Sequence, residues 1–255
     1  TSTQLTSLNS AQLQNLTSEQ LAATTSSQVP FLAFTKAPSL LQILTAPILR
    51  QLSSGQIRAL TTDGIGALAP EQIAALTSKQ ISAFSAAQSK ALNSAQIVAL
   101  TTGQISYLTA DAIAALNSNQ ISSLETQDFI NLTISQVRAL TTGAIQGLSQ
   151  DQLSSITSTQ VIALSPSQMT ALLSTQIGAF SSITLRQFSS SQIRSLSTDS
   201  TAAISAQQFS SLTTAQLLSL SISQVKAISA DQITALTTAQ ISGISLDFVG
   251  SLNSA

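Results

Sequence analysis

Asn93-Ser94-Ala95-Gln96-Ile97-Val98-Ala99-Leu100 runs directly into Thr101-Thr102-Gly103-Gln104-Ile105-Ser106-Tyr107-Leu108. The two stretches superpose position by position, and the reading of this eight-residue unit decides the fold. From Ser53 the chain divides into 25 consecutive octads with no insertion or deletion. Position one is Ser, Thr or Asn in 22 of the 25, with Ala69, Glu125 and Leu173 departing. Position four is Gln in 18, and position five is apolar in 23, Ser89 and Thr201 being the exceptions. Position eight is apolar throughout, from Leu60 to Leu252, and position seven is mostly Ala, Ser or Gly.

A hydroxyl or Asn followed three residues later by Gln, just ahead of apolar positions, is a helix-opening pattern. The cap side chain accepts the backbone N–H three residues on, and the Gln side chain accepts the cap's own N–H. Each octad therefore reads as one short helix of about seven residues, roughly 10 Å long. The ionisable residues sort accordingly. Eight of the ten acids stand at position three: Glu19, Asp63, Glu71, Asp111, Asp151, Asp199, Asp231 and Asp247. Seven of the nine bases stand at position six: Arg50, Arg58, Lys90, Arg138, Arg186, Arg194 and Lys226. Anions near a helix start and cations toward its end both match the helix dipole. Pro38, Pro70 and Pro166 each follow a cap position, where a missing N–H costs least.

One uninterrupted helix is excluded because eight residues advance about 800°, roughly 80° past two turns, so the Ile/Leu stripe would spiral around the rod. A β-solenoid is the alternative. Against it, positions five and eight are three apart, a helical spacing and not the period of two of a strand. Helices this short do not persist alone in water. They must share surface with neighbours, which makes the expected fold all-α: a solenoid of consecutive short capped helices, one per octad, with small residues at position seven allowing close approach. The number of helices per superhelical turn is not fixed by the pattern.

Three segments follow. Residues 1–32 carry the octad in a first register, with Gln4, Gln12, Gln20 and Gln28 in phase and units at Asn9–Leu16 and Thr17–Thr24. Residues 33–52 form an irregular stretch where the register slips by four, around Ala33–Lys36, with Pro38 and Pro47 inside it and Pro30 just before. Residues 53–255 are the continuous array.

Composition narrows function. Ser (45) and Thr (30) dominate, charged residues are 7%, aromatics 4%, and net charge is −1. That balance offers no electrostatic footprint for nucleic acid or an anionic membrane surface. With no run of about 18 apolar residues, membrane insertion is not expected. There is no Cys and no His, so neither a disulfide framework nor a Ser–His nucleophile is available. The repeated carboxylates read as features of helix starts rather than a paired acid and base, and they lack the dense oxygen-donor loop of a calcium site. No catalytic, cofactor-binding or metal-binding residue is assigned, no cofactor is expected, and the chain is not expected to be an enzyme. Asn15-Leu16-Thr17 and Asn131-Leu132-Thr133 are glycosylation sequons, of a kind that chance supplies readily in a sequence this rich in Ser and Thr. A signal peptide and an initiator Met are both missing from the sequence, consistent with a processed protein or a segment of a longer one.

The choice of Gln over Glu at position four invites a physical reason. Eighteen carboxylates would make a self-repelling rod. Amides are expected instead to leave a nearly neutral, hydrogen-bonding surface suited to lateral association.

Units such as Leu212-Thr213-Thr214-Ala215-Gln216-Leu217 and Leu236-Thr237-Thr238-Ala239-Gln240-Ile241 resemble the Leu-Thr-Thr-Ala-Gln-Ile/Val repeats of large bacterial surface proteins, often described as adhesin-like. The resemblance covers nearly the whole chain and implies structural use at the cell surface or outside the cell. Leu164-Ser165-Pro166-Ser167-Gln168-Met169 is also similar to the opening helix of transcription activator-like effector repeats. Those repeats are several times longer and read bases with a loop that this chain lacks, so DNA binding is not expected. The expected role is a secreted or cell-surface rod, filament, surface layer or adhesin spacer whose partners are copies of itself. The alternative is a ligand-binding solenoid holding a glycan, peptide or mineral surface, for which Phe180–Phe188 and Ile130–Leu132 are the nearest departures from the small polar norm.

Overall fold

A computed structural model describes residues 44–252, Leu41, Gln42 and isolated positions between Gln4 and Gln28. The register slip near Ala33–Lys36 lies outside the described residues. Among the described residues there are 26 helices and no strand, so the fold is an all-α repeat and not a β-solenoid. We number the helices α1 (Ala46–Leu49) to α26 (Leu246–Leu252).

The helices span four to seven residues, most of them five or six, shorter than the seven expected from the octad. Position eight accounts for the difference. In α2 (Ser54–Ala59), Leu60 leaves the helix with φ −62° and ψ 141°, and the next cap, Thr61, is also extended at φ −71° and ψ 160°. The extended backbone turns the position-eight side chain into the core, while its N–H still reaches the carbonyl of Ile57 at 3.2 Å. Among the described residues no backbone has positive φ, so the corners are made without a left-handed glycine.

The cap forms as the sequence predicts. In α7 (Ser94–Val98) the Gln96 N–H donates to Asn93 Oδ1 at 2.9 Å, and the Asn93 N–H donates to Gln96 Oε1 at 2.9 Å. Where position one has no acceptor, half the box survives: the Ala69 N–H still donates to Gln72 Oε1 at 2.8 Å. The pattern is also present at Asn9/Gln12 and Thr17/Gln20. Inside the stretch read as irregular, Thr45 stands at the N-cap of α1 without a side-chain cap bond, and Leu41, Leu44, Leu49 and Leu52 are buried in phase with the later octads.

Two compact units divide the chain, residues 1–132 and 133–255. Within each, a helix packs on the third helix after it. In the first unit α4 (Pro70–Ala75) packs on α7, and α6 (Ala86–Lys90) on α9 (Ala110–Ala114). In the second, α13 (Thr142–Gln146) packs on α16 (Pro166–Ala171). Position-five side chains form the centre of these stacks. Ile57, Ile73, Ile97 and Ile121 in the first unit, and Val161, Ile177 and Ile193 in the second, have no exposed surface. The position-eight leucines close the core around them. Full burial of each such side chain is worth about 1.5–3 kcal/mol; the last apolar position-five residues, Ile233, Ile241 and Val249, are exposed. Small residues bring turns close where expected: a Cβ added to Gly243, at position seven, would lie 2.6 Å from Thr214 Cγ2.

Candidate functional site

The feature that recurs along both units is the use made of Gln at position four. Of the 18 such glutamines, 17 are buried; Gln56 is half-buried. This corrects the expectation of an amide-covered surface. The Gln96 side chain shows why the residue is buried and why it is not Glu. Its Oε1 serves its own cap, and its Nε2 donates to the carbonyls of Ile65 at 2.9 Å and Leu68 at 2.7 Å, 31 and 28 residues earlier. Gln88 does the same with Ile57 and Leu60, each at 2.8 Å. In the second unit Gln168 reaches Val137 and Leu140, and Gln224 reaches Ile193 and Leu196.

One amide therefore fills both of its roles. Its oxygen finishes a local helix start, and its two N–H groups join that start to the carbonyls where an earlier helix ends. The Ile65 carbonyl already accepts the Leu68 N–H at 3.2 Å, so the amide is its second donor; at the buried Leu68 carbonyl the amide avoids a desolvation cost of about 1–3 kcal/mol. A carboxylate could complete the cap but would present oxygens to oxygens. Helices packing three apart, and clamps reaching 28 to 31 residues back, put between three and four octads in each superhelical turn within a unit.

Lesser ties cross the turns at the edges. Arg50 Nε donates to the Ala75 carbonyl at 2.9 Å, and Thr170 Oγ1 to the Ser195 carbonyl at 2.8 Å. The charge sorting holds at the level of helices: Asp63, Glu71, Asp111, Asp151, Asp199 and Asp231 lie in first turns, and Arg58, Lys90, Arg138, Arg186, Arg194 and Lys226 in last turns.

Part of the chain matches the model of a family described as the ALTTAQ repeat. The repeat family's model matches residues 49–78, 70–102 and 129–166. The name ALTTAQ corresponds to Ala235-Leu236-Thr237-Thr238-Ala239-Gln240 in this chain, that is, positions seven and eight of one octad and one to four of the next. It thus spans the corner, the cap and the clamp. A search of curated proteins finds no match.

Elsewhere the surface is plain. Among the described residues no group of three or more Asp or Glu is placed to hold a metal ion, and no helix is long and apolar enough to cross a membrane. Phe180 and Phe188, singled out as a departure from the norm, are buried and stack edge to face with centroids 5.3 Å apart. Ile183 between them is 74% exposed. Leu132 is buried, and Ile130 is half-buried. Asn131 of the second sequon is exposed and donates Nδ2 to the Gln127 carbonyl at 2.8 Å. A pocket of about 210 Å³ in the first unit is lined by Arg50, Lys79, Ser53, Ser54 and Thr77, together with Leu52 and Gln80. Sequence reasoning did not find it, since Arg50 and Lys79 are 29 positions apart and each reads alone as a solvated cation.

Proposed function

We propose that this repeat protein is structural: an extracellular or cell-surface rod, filament or spacer that associates with copies of itself, with no enzymatic role. The observation that carries the reading is the direction of the clamp. Gln donors lie on one side of a turn and main-chain acceptors on the other. Contacts between unlike faces propagate without closing, whereas a two-fold contact stops at a pair. A turn from a second copy offers the same donors and acceptors as the next turn of the same copy. Neutral side chains over most of the surface add little repulsion between neighbouring rods. The test is sedimentation velocity over a wide range of concentration, with electron microscopy of the same samples. Mass rising with concentration and ordered fibres support the proposal. A species of the 26.3 kDa chain mass at every concentration and salt level rules it out.

A second reading, a ligand-binding solenoid, is favoured by one feature, the pocket holding Arg50 and Lys79 among three hydroxyls. Its chemistry suits an acidic glycan. Binding of a carboxylated oligosaccharide that is lost in the Arg50→Ala/Lys79→Ala variant supports this reading, and equal binding by both proteins removes it.

A further inference from the structure

One octad breaks the pattern at both polar positions. In Glu125–Leu132, Glu125 stands at the cap and Asp128 at position four. Helix α11 (Thr126–Ile130) starts without a side-chain cap bond. Asp128 is nonetheless buried, at 3% exposure, the same depth as the glutamines it replaces. By the repeat spacing, the carbonyls that a Gln here would clamp are those of Ile97 and Leu100, 31 and 28 residues back. A carboxylate has no hydrogen to give them. The helix packed on α11 is α8 (Thr102–Ile105), which brings the Thr102 hydroxyl to Asp128 and carries no ionisable side chain. The charged group acting on Asp128 is Glu125, and it repels.

We propose that octad 125–132 is a proton-operated link in an otherwise uncharged ladder of clamps. Protonated, Asp128 is a donor and can serve an oxygen on the preceding turn, as Gln does elsewhere. Ionised, it gives those oxygens no donor, leaving the Ile97 carbonyl with the Leu100 N–H alone, and sets a buried negative charge among them, so the octad opens from its turn more readily.

Burial pushes the Asp128 carboxyl above the usual carboxylate range; the Thr102 hydrogen bond draws it back in part, and Glu125 raises it further. For an acid held above its unfolded value, the stabilisation is complete below that unfolded value, near 3.9, and is lost as pH rises through the folded one. The octad is therefore tightest in acid, opposite to the usual behaviour of paired carboxylates.

The test is native-state hydrogen exchange of the full chain at pH 4 and pH 7.5, read by mass spectrometry on peptides covering 126–132 and 94–100 and normalised to intrinsic exchange. In the wild type, opening at 126–132 should be at least about tenfold more frequent at pH 7.5 than at pH 4, with no such change at 94–100. Asp128→Gln should restore the clamp and remove the pH dependence. Asp128→Asn, nearly isosteric, should remove the pH dependence even if it restores less protection. Equal opening of wild-type 126–132 at the two pH values overturns the proposal, as does an unchanged pH dependence in either variant.

Discussion

Octads Ser85–Leu92 and Ser197–Ile204, one in each unit, both place a hydroxyl at position five, where the other octads of the array carry an apolar side chain. Ser89 and Thr201 are equally buried, with no exposed surface. Their fates differ. Thr201 Oγ1 donates to the Ser197 carbonyl at 2.9 Å and accepts from Gln224 Nε2 at 3.2 Å. Ser89 Oγ has no partner. The second octad also replaces the position-four Gln by Ser200, whose Oγ still reaches one of the two expected carbonyls, Leu172, at 2.9 Å. The first keeps its Gln88 clamp intact. A stack of this kind tolerates a polar residue in its core if neighbouring turns supply partners, or if the clamp above it compensates for an orphan.

Three substitutions sharpen this contrast. Gln88→Glu attacks what the first octad depends on, turning two donors into acceptors opposite the Ile57 and Leu60 carbonyls. A loss of about 3–5 kcal/mol is expected from the buried charge and the lost clamp bonds, seen in urea denaturation at neutral pH. A loss below about 1 kcal/mol would mean that the clamp contributes little. Ser89→Val should act the other way, adding methyl groups where apolar residues normally sit and removing an unpaired hydroxyl. A gain of about 1–2 kcal/mol is expected, and a destabilised variant would show that the site is already full. Thr201→Val should have the smallest effect, a loss of up to about 1 kcal/mol. Gln224 keeps its bonds to Ile193 and Leu196, and the shape is conserved. If Thr201→Val proved as costly as Gln88→Glu, the hydroxyl and not the amide would be the tie that matters there.

Much of the fold was legible one octad at a time. Asn93 and Gln96 announced a helix start, Ile97 and Leu100 its buried face, and the placement of Asp111 and Arg138 the direction of its dipole. The misreadings came from residues with two roles. Gln96 was read for its oxygen, which serves a neighbour three residues away, and its nitrogen was assigned to solvent. Asp128 drew no notice in the sequence, because nothing within its octad reveals that the position is buried against carbonyls.

Local hydrogen bonding is encoded locally: a hydroxyl, three steps and an amide suffice to restart a helix, and the sequence alone determined that this happens every eight residues. What lies 28 and 31 residues away depends on the angle at each corner, accumulated over a full turn, and small changes in that angle would bring different carbonyls overhead. Only the tertiary structure decided that the Gln nitrogen meets two carbonyls at the end of an earlier helix. The burial of that amide, the preference for Gln over Glu and the exceptional standing of Asp128 all follow from that meeting.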